Sequence, residues 1–194
     1  MSTSLAVINE GLVRLGVPPL ASLSDRSAQA IAADSIYRTT REAALQAHPW
    51  SFATTEVALP KLSLTPTQVR DTSYDFAYQL PTDMLRVLGL RSQHRFAING
   101  DQLYTNDGKA QLVYIQDASE AAWPAYFSKH VSFAFAAAVA ITLTDNPQRA
   151  ELMYNLSAEA LRNARSVDSL QTPPHVFDMM RVYMRRSRNP LTAA

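Results

Sequence analysis

Apolar side chains recur every three to four residues in the first and last parts of the chain, and they alternate with polar ones in between. The first helix is predicted from this spacing at Leu5, Ile8, Leu12 and Leu15. Ser2 to Ser4 are available as N-terminal caps, and Gly16 provides the stop. The prolines in Val17–Leu20 predict a stiff, extended connector, because proline fixes φ and restricts the residue before it.

A second helix is predicted from a cap at Ser24 or Asp25 to about Ala47, and Pro49 ends it. Its predicted apolar face carries small side chains. The members of that face are Ile31, Ser35, Ile36, Thr40, Ala43 and Ala47. Residues of this kind are good helix formers and permit a neighbouring helix to approach closely.

The pattern changes to strands between Thr54 and Ile115. The predicted strands contain Val57 and Leu59; Tyr74, Phe76 and Tyr78; Leu85 to Leu90; Arg95 to Ile98; Gln102 to Tyr104; and Gln111 to Ile115. Asn99-Gly100 between two short apolar runs predicts a hairpin with a type I′ turn, which needs positive φ at both central residues. Together these segments predict one antiparallel sheet of about four to six short strands.

Helical periodicity returns after Asp117. Apolar residues from Trp123 to Leu143 surround most of the helix axis, so this third helix is predicted to be central. Asn146-Pro147 predicts the cap and first turn of a fourth helix. Its predicted inward residues are Leu152, Met153, Leu156, Ala160, Leu161 and Ala164, and its outward residues are Arg149, Glu159 and Arg162.

A break at Thr172-Pro173-Pro174 separates a short amphipathic tail from the rest. Between 176 and 188 the apolar residues are Val176, Phe177, Met180, Tyr183 and Met184, and the basic ones are Arg181, Arg185, Arg186 and Arg188. A helix this short is marginal in isolation. Two placements stay open: the tail folds back on its own core, or it docks on another subunit through aromatic, Met and Arg contacts.

These elements predict an α+β protein: a four-helix bundle core, a small antiparallel β-sheet subdomain inserted between helices 2 and 3, and a C-terminal tail. The predicted divisions are 1–49 for the first part of the helical core, 50–118 for the inserted β subdomain, 119–171 for the second part of the core and 172–194 for the tail.

Bulk composition narrows the classes of protein further. Cysteine is absent, which excludes disulfides, thiolate catalysis and cysteine-ligated zinc. A net charge of +1 is low for a dedicated duplex-DNA binder, whose affinity comes largely from phosphate neutralisation. No apolar run reaches the length of about 20 residues that a membrane span needs, and no secretory signal is recognised, so we expect no membrane contact.

The residues predict no catalytic, cofactor-binding or metal-binding site. The four histidines lie far apart in sequence, and the five glycines form no phosphate-binding loop. Glu42 with Glu56, or Asp71 with Asp75, are the carboxylate pairs that glycoside hydrolysis would use. Spacing alone does not support that chemistry, and solvated surface carboxylates are the simpler interpretation.

Trp50 and Phe52 follow the helix stop at Pro49. An aromatic pair at this position most often fills the junction between two layers, here helices and sheet, and the alternative is an exposed partner contact. With Tyr78 and Pro81 of the later segment, they are predicted to lock the strands onto the helices.

Three segments together resemble one protein family. Residues Leu5 to Leu20, with Asn9, Leu12, Gly16 and Pro18-Pro19, are similar to its opening pattern N-x-x-L-x-x-I/L-G-E/V-P-P-I/V. Pro49 to Ala53 resembles its P-W-N-F-A, with Ser51 in place of Asn, and Tyr78 to Val87 resembles its Y-Q-L-P-A-D-C-L-R-V, with Met84 in place of Cys. The family is tail tubular protein A, the head-to-tail adaptor (connector) proteins of short-tailed bacteriophages, and the resemblance covers about residues 5 to 170.

The resemblance implies a structural protein rather than an enzyme. It implies a homo-oligomeric ring, usually of twelve copies, that forms under the portal protein, carries the tail nozzle protein and lets duplex DNA pass through its channel without sequence-specific contact. The free chain is expected to be a monomer, assembled in the bacterial host cytoplasm and then located in the virion tail or neck. The tail residues expected to bind the portal or another partner are Phe177, Met180, Tyr183, Met184, Arg185, Arg186 and Arg188.

Two alternatives remain open at this point. One is a virion-associated cell-wall hydrolase that uses carboxylates not yet assigned. The other is a DNA-binding module that uses the C-terminal arginines, for which steep salt dependence of duplex binding would be the sign.

Overall fold

The computed structural model describes residues 3–25, 27–63 and 73–171, and within them it confirms the α+β class. The helices are α1 (Ser4–Arg14), α2 (Ala28–Gln46), α3 (Ala125–Thr144) and α4 (Pro147–Gln171). The strands are β1 (Thr54–Ala58), β2 (Phe76–Gln79), β3 (Met84–Leu90), β4 (Phe96–Asn99), β5 (Gln102–Thr105) and β6 (Gln111–Gln116). All of these strands lie between α2 and α3 in the chain.

The predicted boundaries of α1 are confirmed. The Thr3 hydroxyl accepts a hydrogen bond from the Ala6 amide at 3.2 Å, and Gly16 follows the helix with φ of 71°. The Asn9 side chain fixes the end of the proline connector through two hydrogen bonds to the Leu20 backbone. Its Nδ2 donates to the Leu20 carbonyl at 2.9 Å, and its Oδ1 accepts from the Leu20 amide at 2.8 Å.

Helix α2 differs from its prediction at its start and on its buried face. Ser27 caps it, in place of Ser24 or Asp25, through a hydrogen bond from the Ala30 amide to the Ser27 hydroxyl at 3.1 Å. The buried residues are Ala30, Ala33, Tyr37, Ala44 and Leu45. Of the predicted face, Ile31, Ser35 and Ala43 are exposed, and Ile31 reaches 63%. The helix turns its alanines inward because they permit a close approach to α3, so the large aliphatic side chain of Ile31 lies outside.

Helix α3 is central, as predicted, because it packs against each of the other three helices. Gly11 of α1 meets it so closely that an added Cβ would lie 2.7 Å from the Phe135 ring and 2.9 Å from the Ser132 carbonyl oxygen. Within the described residues, α3 is the one helix whose length and composition would suffice to cross a membrane. The lack of a long uninterrupted apolar run in the sequence had predicted no such helix. More than half of its most apolar stretch is buried inside the fold, as is typical of a core helix.

Helix α4 begins as predicted, since Asn146 Oδ1 accepts a hydrogen bond from the Arg149 amide at 3.0 Å. Its buried residues are Met153, Ser157, Ala160, Ala164 and Asp168. Leu152, which was predicted to face inward, is instead 54% exposed. The buried line advances by three or four residues from Met153, and this brings the polar Ser157 and Asp168 into the interior.

The strands form two antiparallel three-stranded sheets, so the prediction of one sheet was wrong. Their orders are β1-β6-β3 and β2-β5-β4. The β4–β5 hairpin is confirmed, but its two-residue loop is Gly100-Asp101, with Asn99 paired to Gln102. Gly100 has φ of 63° and neither Asn99 nor Asp101 has positive φ, which is the pattern of a type II′ turn with glycine first.

The sheet β1-β6-β3 lies between the helices and the second sheet. Ile115, Leu85 and Leu88 pack in a hydrophobic cluster with the helices. Leu112, Tyr114 and Val87 pack in a second cluster, with Tyr78 and Leu103 of the other sheet. The two faces of β3 and β6 therefore serve two different cores, and two register irregularities along β3 interrupt its simple alternation.

Candidate functional site

The turn from α2 into β1 contains a fully buried tryptophan. Trp50 is 0% exposed, and its indole N–H donates to the Ala44 carbonyl at 3.0 Å. Its ring lies 5.0 Å from that of Phe127 on α3 and 6.1 Å from that of Phe52. Phe52 also contacts Phe127, at 4.9 Å between ring centres. The structure thus places Trp50 and Phe52 against α3 and leaves neither ring as an open recognition surface.

A buried carboxylate next to this turn joins three parts of the chain. Asp168 of α4 is 3% exposed. It accepts hydrogen bonds from the Ser51 amide at 3.0 Å, the Ser51 hydroxyl at 2.7 Å and the Tyr126 hydroxyl at 2.8 Å. His48 Nε2 lies 3.6 Å from Oδ2, the carboxylate oxygen that also accepts from the Ser51 amide, while both hydroxyls donate to Oδ1. We call Asp168, Ser51, Tyr126 and His48 the Asp168 cluster.

Burial sets the protonation of two members of the Asp168 cluster. It raises the pKa of Tyr126 to about 12, and the hydrogen bond to Asp168 adds to the rise. Burial also lowers the pKa of His48, with a further decrease from the Arg165 and Arg86 charges, although Asp168 opposes the shift. At neutral pH the cluster therefore holds a neutral imidazole and a protonated phenol around the carboxylate.

The C-terminal end of α2 is held by the same neighbourhood. Arg165 of α4 donates to the Ala47 carbonyl at 2.8 Å, and Arg86 of β3 donates to the Gln46 carbonyl. Carbonyl groups at the end of a helix have no partner within it and carry partial negative charge, so cationic donors stabilise them. Strand β3, helix α4 and the Trp50 turn are thereby fixed to one helix end.

A second polar cluster holds the chain where it leaves the strands. Arg41 of α2 forms ion pairs with Asp117 and with Glu120, the latter at 3.1 Å, and also donates to the Ala118 carbonyl at 2.9 Å. The Tyr37 hydroxyl donates to Glu120 at 3.2 Å, and burial, reinforced by the Glu120 charge, raises the pKa of Tyr37. Arg41 lies between these two carboxylates in a cleft of 430 Å³, which Asp34, Arg38 and Glu42 also line.

The Asp168 cluster contains the residue types of a serine hydrolase in a different arrangement. In a catalytic triad the imidazole stands between the hydroxyl and the carboxylate, so that it can take the hydroxyl proton. Here the Ser51 hydroxyl donates directly to Asp168, and His48 approaches the same carboxylate from elsewhere. This geometry positions backbone segments and does not activate Ser51.

Tyr78 and Pro81 lie apart from Trp50. Tyr78 is buried in the second hydrophobic cluster, and its hydroxyl donates to the Asp107 carbonyl at 2.7 Å. Pro81 follows β2, and its carbonyl accepts from the Met84 amide at 3.3 Å. The residues predicted to form one junction therefore lie in two different cores. Trp50 and Phe52 pack against the helices, while Tyr78 packs in the core between the two sheets.

The carboxylates considered for hydrolysis are dispersed. Glu56 on β1 pairs with Arg91 at 2.6 Å, Glu42 lines the Arg41 cleft, and Asp71 lies outside the described residues. Within the ranges that the structure describes, no group of three or more His, Cys, Asp and Glu side chains is placed to hold a metal ion. His130 is buried on α3, with Nδ1 3.2 Å from the Ser157 carbonyl oxygen.

Every predicted partner-binding residue of the tail lies outside the described residues. These are Phe177, Met180, Tyr183, Met184, Arg185, Arg186 and Arg188. The last described residue is Gln171 of α4, one helical turn beyond Asp168.

Sequence reasoning did not single out Asp168, Tyr126 or Arg41. Asp168 and Ser51 are 117 positions apart, so no local spacing links them. A signal did exist for Asp168, because it continues the inward line of Ala160 and Ala164 by four residues. A charged residue on a buried line indicates a polar partner inside the fold.

No family model matches the chain, and no curated protein matches it at a significant level.

Proposed function

We propose that this chain is a structural head-to-tail adaptor of a short-tailed bacteriophage, with no catalytic activity of its own. The observation that carries the proposal is the ordered resemblance of three segments, Leu5 to Leu20, Pro49 to Ala53 and Tyr78 to Val87. The side chains of Trp50, Phe52 and Tyr78 are turned into the fold, which suits motifs that maintain a scaffold.

The finer architecture belongs to the same proposal. It consists of a four-helix bundle of 1–49 and 119–171, a β subdomain of 50–118 inserted between helices 2 and 3, and the tail 172–194. Two observations support it. Helix α3 contacts each of the other three helices, and the Gln116 amide donates to the Ala53 carbonyl at 2.9 Å, so the strands begin and end at neighbouring points.

The proposed assembly is a ring, usually of twelve copies, bound beneath the portal protein and above the tail nozzle protein. A cyclic ring uses heterologous contacts, so each subunit needs two different and complementary faces. The tail, with four arginines beside aromatic and Met side chains, has the composition of an interface segment. The adaptor assembles in the host cytoplasm, resides in the virion tail or neck, and encloses passing duplex DNA.

The test is assembly on the portal protein of the same virus. Electron microscopy of the mixture should show rings of this chain on the portal, while the chain alone stays monomeric. Deletion of residues after Pro174 should abolish attachment. A chain whose residues 175–194 are replaced by a Gly/Ser segment of equal length is the matched control for length, and it should also fail.

Two outcomes would oppose the proposal. A full-length chain that never associates with the portal protein would remove the adaptor function. A truncated chain that attaches normally would leave the adaptor function standing and remove the role of the tail.

A further inference from the structure

Strand β4 is an edge strand whose outer side carries backbone groups without a partner among the described residues. In the order β2-β5-β4 it has β5 on one side and no described strand on the other. The two-residue hairpin makes Asn99 and Gln102 a hydrogen-bonded pair, and pairs with and without hydrogen bonds then alternate along both strands. The amide and carbonyl groups of Phe96 and Ile98 therefore point away from β5. Within the described part of the chain, no hydrogen bond reaches these four groups.

The opposite edge of the same sheet follows the same alternation, but there the chain covers its own strand. Ala77 and Gln79 of β2 point away from β5, and the segment 60–62 lies on that side. The Gln79 amide donates to the Pro60 carbonyl at 3.1 Å, and the Leu62 amide donates to the Ala77 carbonyl at 2.8 Å. The sheet thus has one edge that its own chain occupies and one that the described residues leave open.

The edges of the other sheet carry features that discourage pairing with another chain. Strand β1 contains the charged Glu56, and β3 is interrupted by two register irregularities. Charges and bulges of this kind are the usual protection of an edge strand. Strand β4, in contrast, has no charge, no proline and no register irregularity, and its Ile98 side chain is 45% exposed. Of the four edges that the described residues form, β4 is the one suited to accept a further strand.

Charge complementarity indicates that the added strand comes from a second copy of this chain. Arg95 precedes β4, Asp101 follows it, and both are exposed. Antiparallel pairing about a two-fold axis at Ala97 makes Phe96 of each copy a hydrogen-bonded pair with Ile98 of the other. It also places Arg95 of each copy diagonally opposite Asp101 of the other, within reach of long side chains. Parallel pairing in register would instead set like charges beside each other.

We propose that β4 is a self-association edge, at which two copies pair antiparallel about a two-fold axis at Ala97. Their two three-stranded sheets then become one continuous sheet. So short a pairing buries far less than the roughly 1,200 Å² of a stable interface, so the dimer is weak and forms at high protein concentration. The dilute chain stays monomeric. The proposal concerns the isolated chain and stands without the adaptor function.

Cysteine cross-linking tests the pairing directly, because the chain has no cysteine of its own. Ala97→Cys puts one thiol of each copy at the two-fold axis, where the Cα atoms of a non-hydrogen-bonded pair lie about 4.5 Å apart, within disulfide range. The matched control is Asn99→Cys, on the same strand and face, whose two Cα atoms would lie about 13 Å apart along the strands. Under mild oxidation Ala97→Cys should form dimers about tenfold faster, after each rate is divided by the rate of labelling with a small thiol reagent.

A proline substitution tests the backbone contribution in the Ala97→Cys chain. The Ile98 amide faces the second copy and not β5, so Ile98→Pro removes hydrogen bonds between copies and leaves the β4–β5 ladder in place. Cross-linking should fall to the rate of the Asn99→Cys control. Ile98→Thr, which removes the aliphatic side chain but keeps the amide, is the matched control and should stay within about threefold of the parent rate. Circular dichroism checks that each variant is folded.

A charge exchange tests the register and leaves β4 itself unchanged, so it decides the question even if Ile98→Pro does not fold. In the Ala97→Cys chain, Arg95→Asp should slow cross-linking about threefold, as expected for surface charges, and adding Asp101→Arg should restore it. Arg162→Asp makes the same charge change at an exposed position of α4 and should leave the rate unaltered.

Three outcomes overturn the proposal. Equal corrected rates for Ala97→Cys and Asn99→Cys mean that the copies do not pair about Ala97. An unchanged rate in a folded Ile98→Pro variant means that backbone pairing at this edge does not hold the dimer. A rate that Asp101→Arg fails to restore means that the antiparallel register is wrong. Portal attachment is measured separately on the cysteine-free chain, so failure here is distinct from failure of the adaptor function.

Discussion

Asp168 accepts hydrogen bonds from a backbone amide and a hydroxyl of Ser51 and from the hydroxyl of Tyr126. These donors belong to the turn after α2 and to the start of α3, while Asp168 itself belongs to the end of α4. A buried carboxylate is stable only when such donors replace its water. Each donor is in turn fixed by the carboxylate, so one side chain determines how three segments meet.

Replacement of Asp168 by alanine should lower the free energy of unfolding by about 3 kcal/mol, because several buried donors lose their acceptor together. Chemical denaturation monitored by Trp50 and Trp123 fluorescence measures the change. Glu151→Ala, at an exposed position of the same helix, is the matched control and should stay within about 0.5 kcal/mol of the parent. A loss for Asp168→Ala no larger than the control would show that the cluster contributes little.

Tyr126 should be among the last tyrosines to ionise. Burial and its hydrogen bond to Asp168 raise its pKa to about 12. In an ultraviolet titration, Tyr126→Phe should remove ionisation at the alkaline end and leave the part near pH 10 unchanged, about 10 being the ordinary tyrosine pKa. Asp168→Asn should lower the pKa of Tyr126 in part, since burial, the larger cause, remains. Loss of signal near pH 10 in Tyr126→Phe would contradict the assignment.

At the scale of elements, the contact between α1 and α3 depends on the absence of a side chain at Gly11. An added Cβ would meet both the Phe135 ring and the Ser132 backbone oxygen at less than ordinary contact distance. A backbone atom in a packed helix cannot move aside easily, so the two helices would have to separate. The glycine, which is otherwise a poor residue for a helix interior, is required by this approach.

Gly11→Ala should therefore destabilise the protein by about 2 kcal/mol, although alanine favours helix by about 1 kcal/mol in open surroundings. Gly108→Ala is the matched control, because its Cβ would meet its nearest neighbour, the Phe76 ring, at an ordinary distance of 3.7 Å. Thermal unfolding of both variants measures the difference. An unchanged or raised melting temperature for Gly11→Ala would show that α1 can shift at no cost.

Some features of the helices and strands could be predicted from the local sequence pattern, and others could not. Thr3, Asn146 and the β4–β5 hairpin act through neighbours a few residues away, so their signals could be read from the sequence. Ile31 and Leu152 were assigned inward because they are aliphatic, yet burial on α2 and α4 depends on the shape of α3. The division into two sheets and the Asp168 cluster depend on contacts between distant segments, which no local pattern encodes.

At the scale of the molecule, stability should fall as the pH decreases below neutrality. Burial lowers the pKa of both His48 and His130 in the folded state. Below about pH 6.5, the ordinary histidine pKa, the unfolded chain therefore binds more protons than the folded one, and the free energy of unfolding decreases until the folded-state pKa values are passed.

Denaturation at about pH 7.5 and pH 5 measures this dependence, which spans the ordinary histidine pKa. His130→Asn should reduce the loss of stability between the two pH values, even if it lowers stability at both. An identical pH dependence in the parent and the variant would show that His130 does not carry the effect.

The central position of α3 also has a consequence for synthesis. Helices α1 and α2 pack mainly on α3, which lies after all six strands in the chain. From the end of α2 at Gln46 to the start of α3 at Ala125 the ribosome must add about 80 residues, which takes roughly 4 to 16 s at typical rates. During that interval the segments that form α1 and α2 have no α3 to pack on. Three of the five buried residues described on α2 are alanines, so the small side chains that permit close packing also reduce the apolar surface that the nascent helix exposes, and with it the tendency to aggregate.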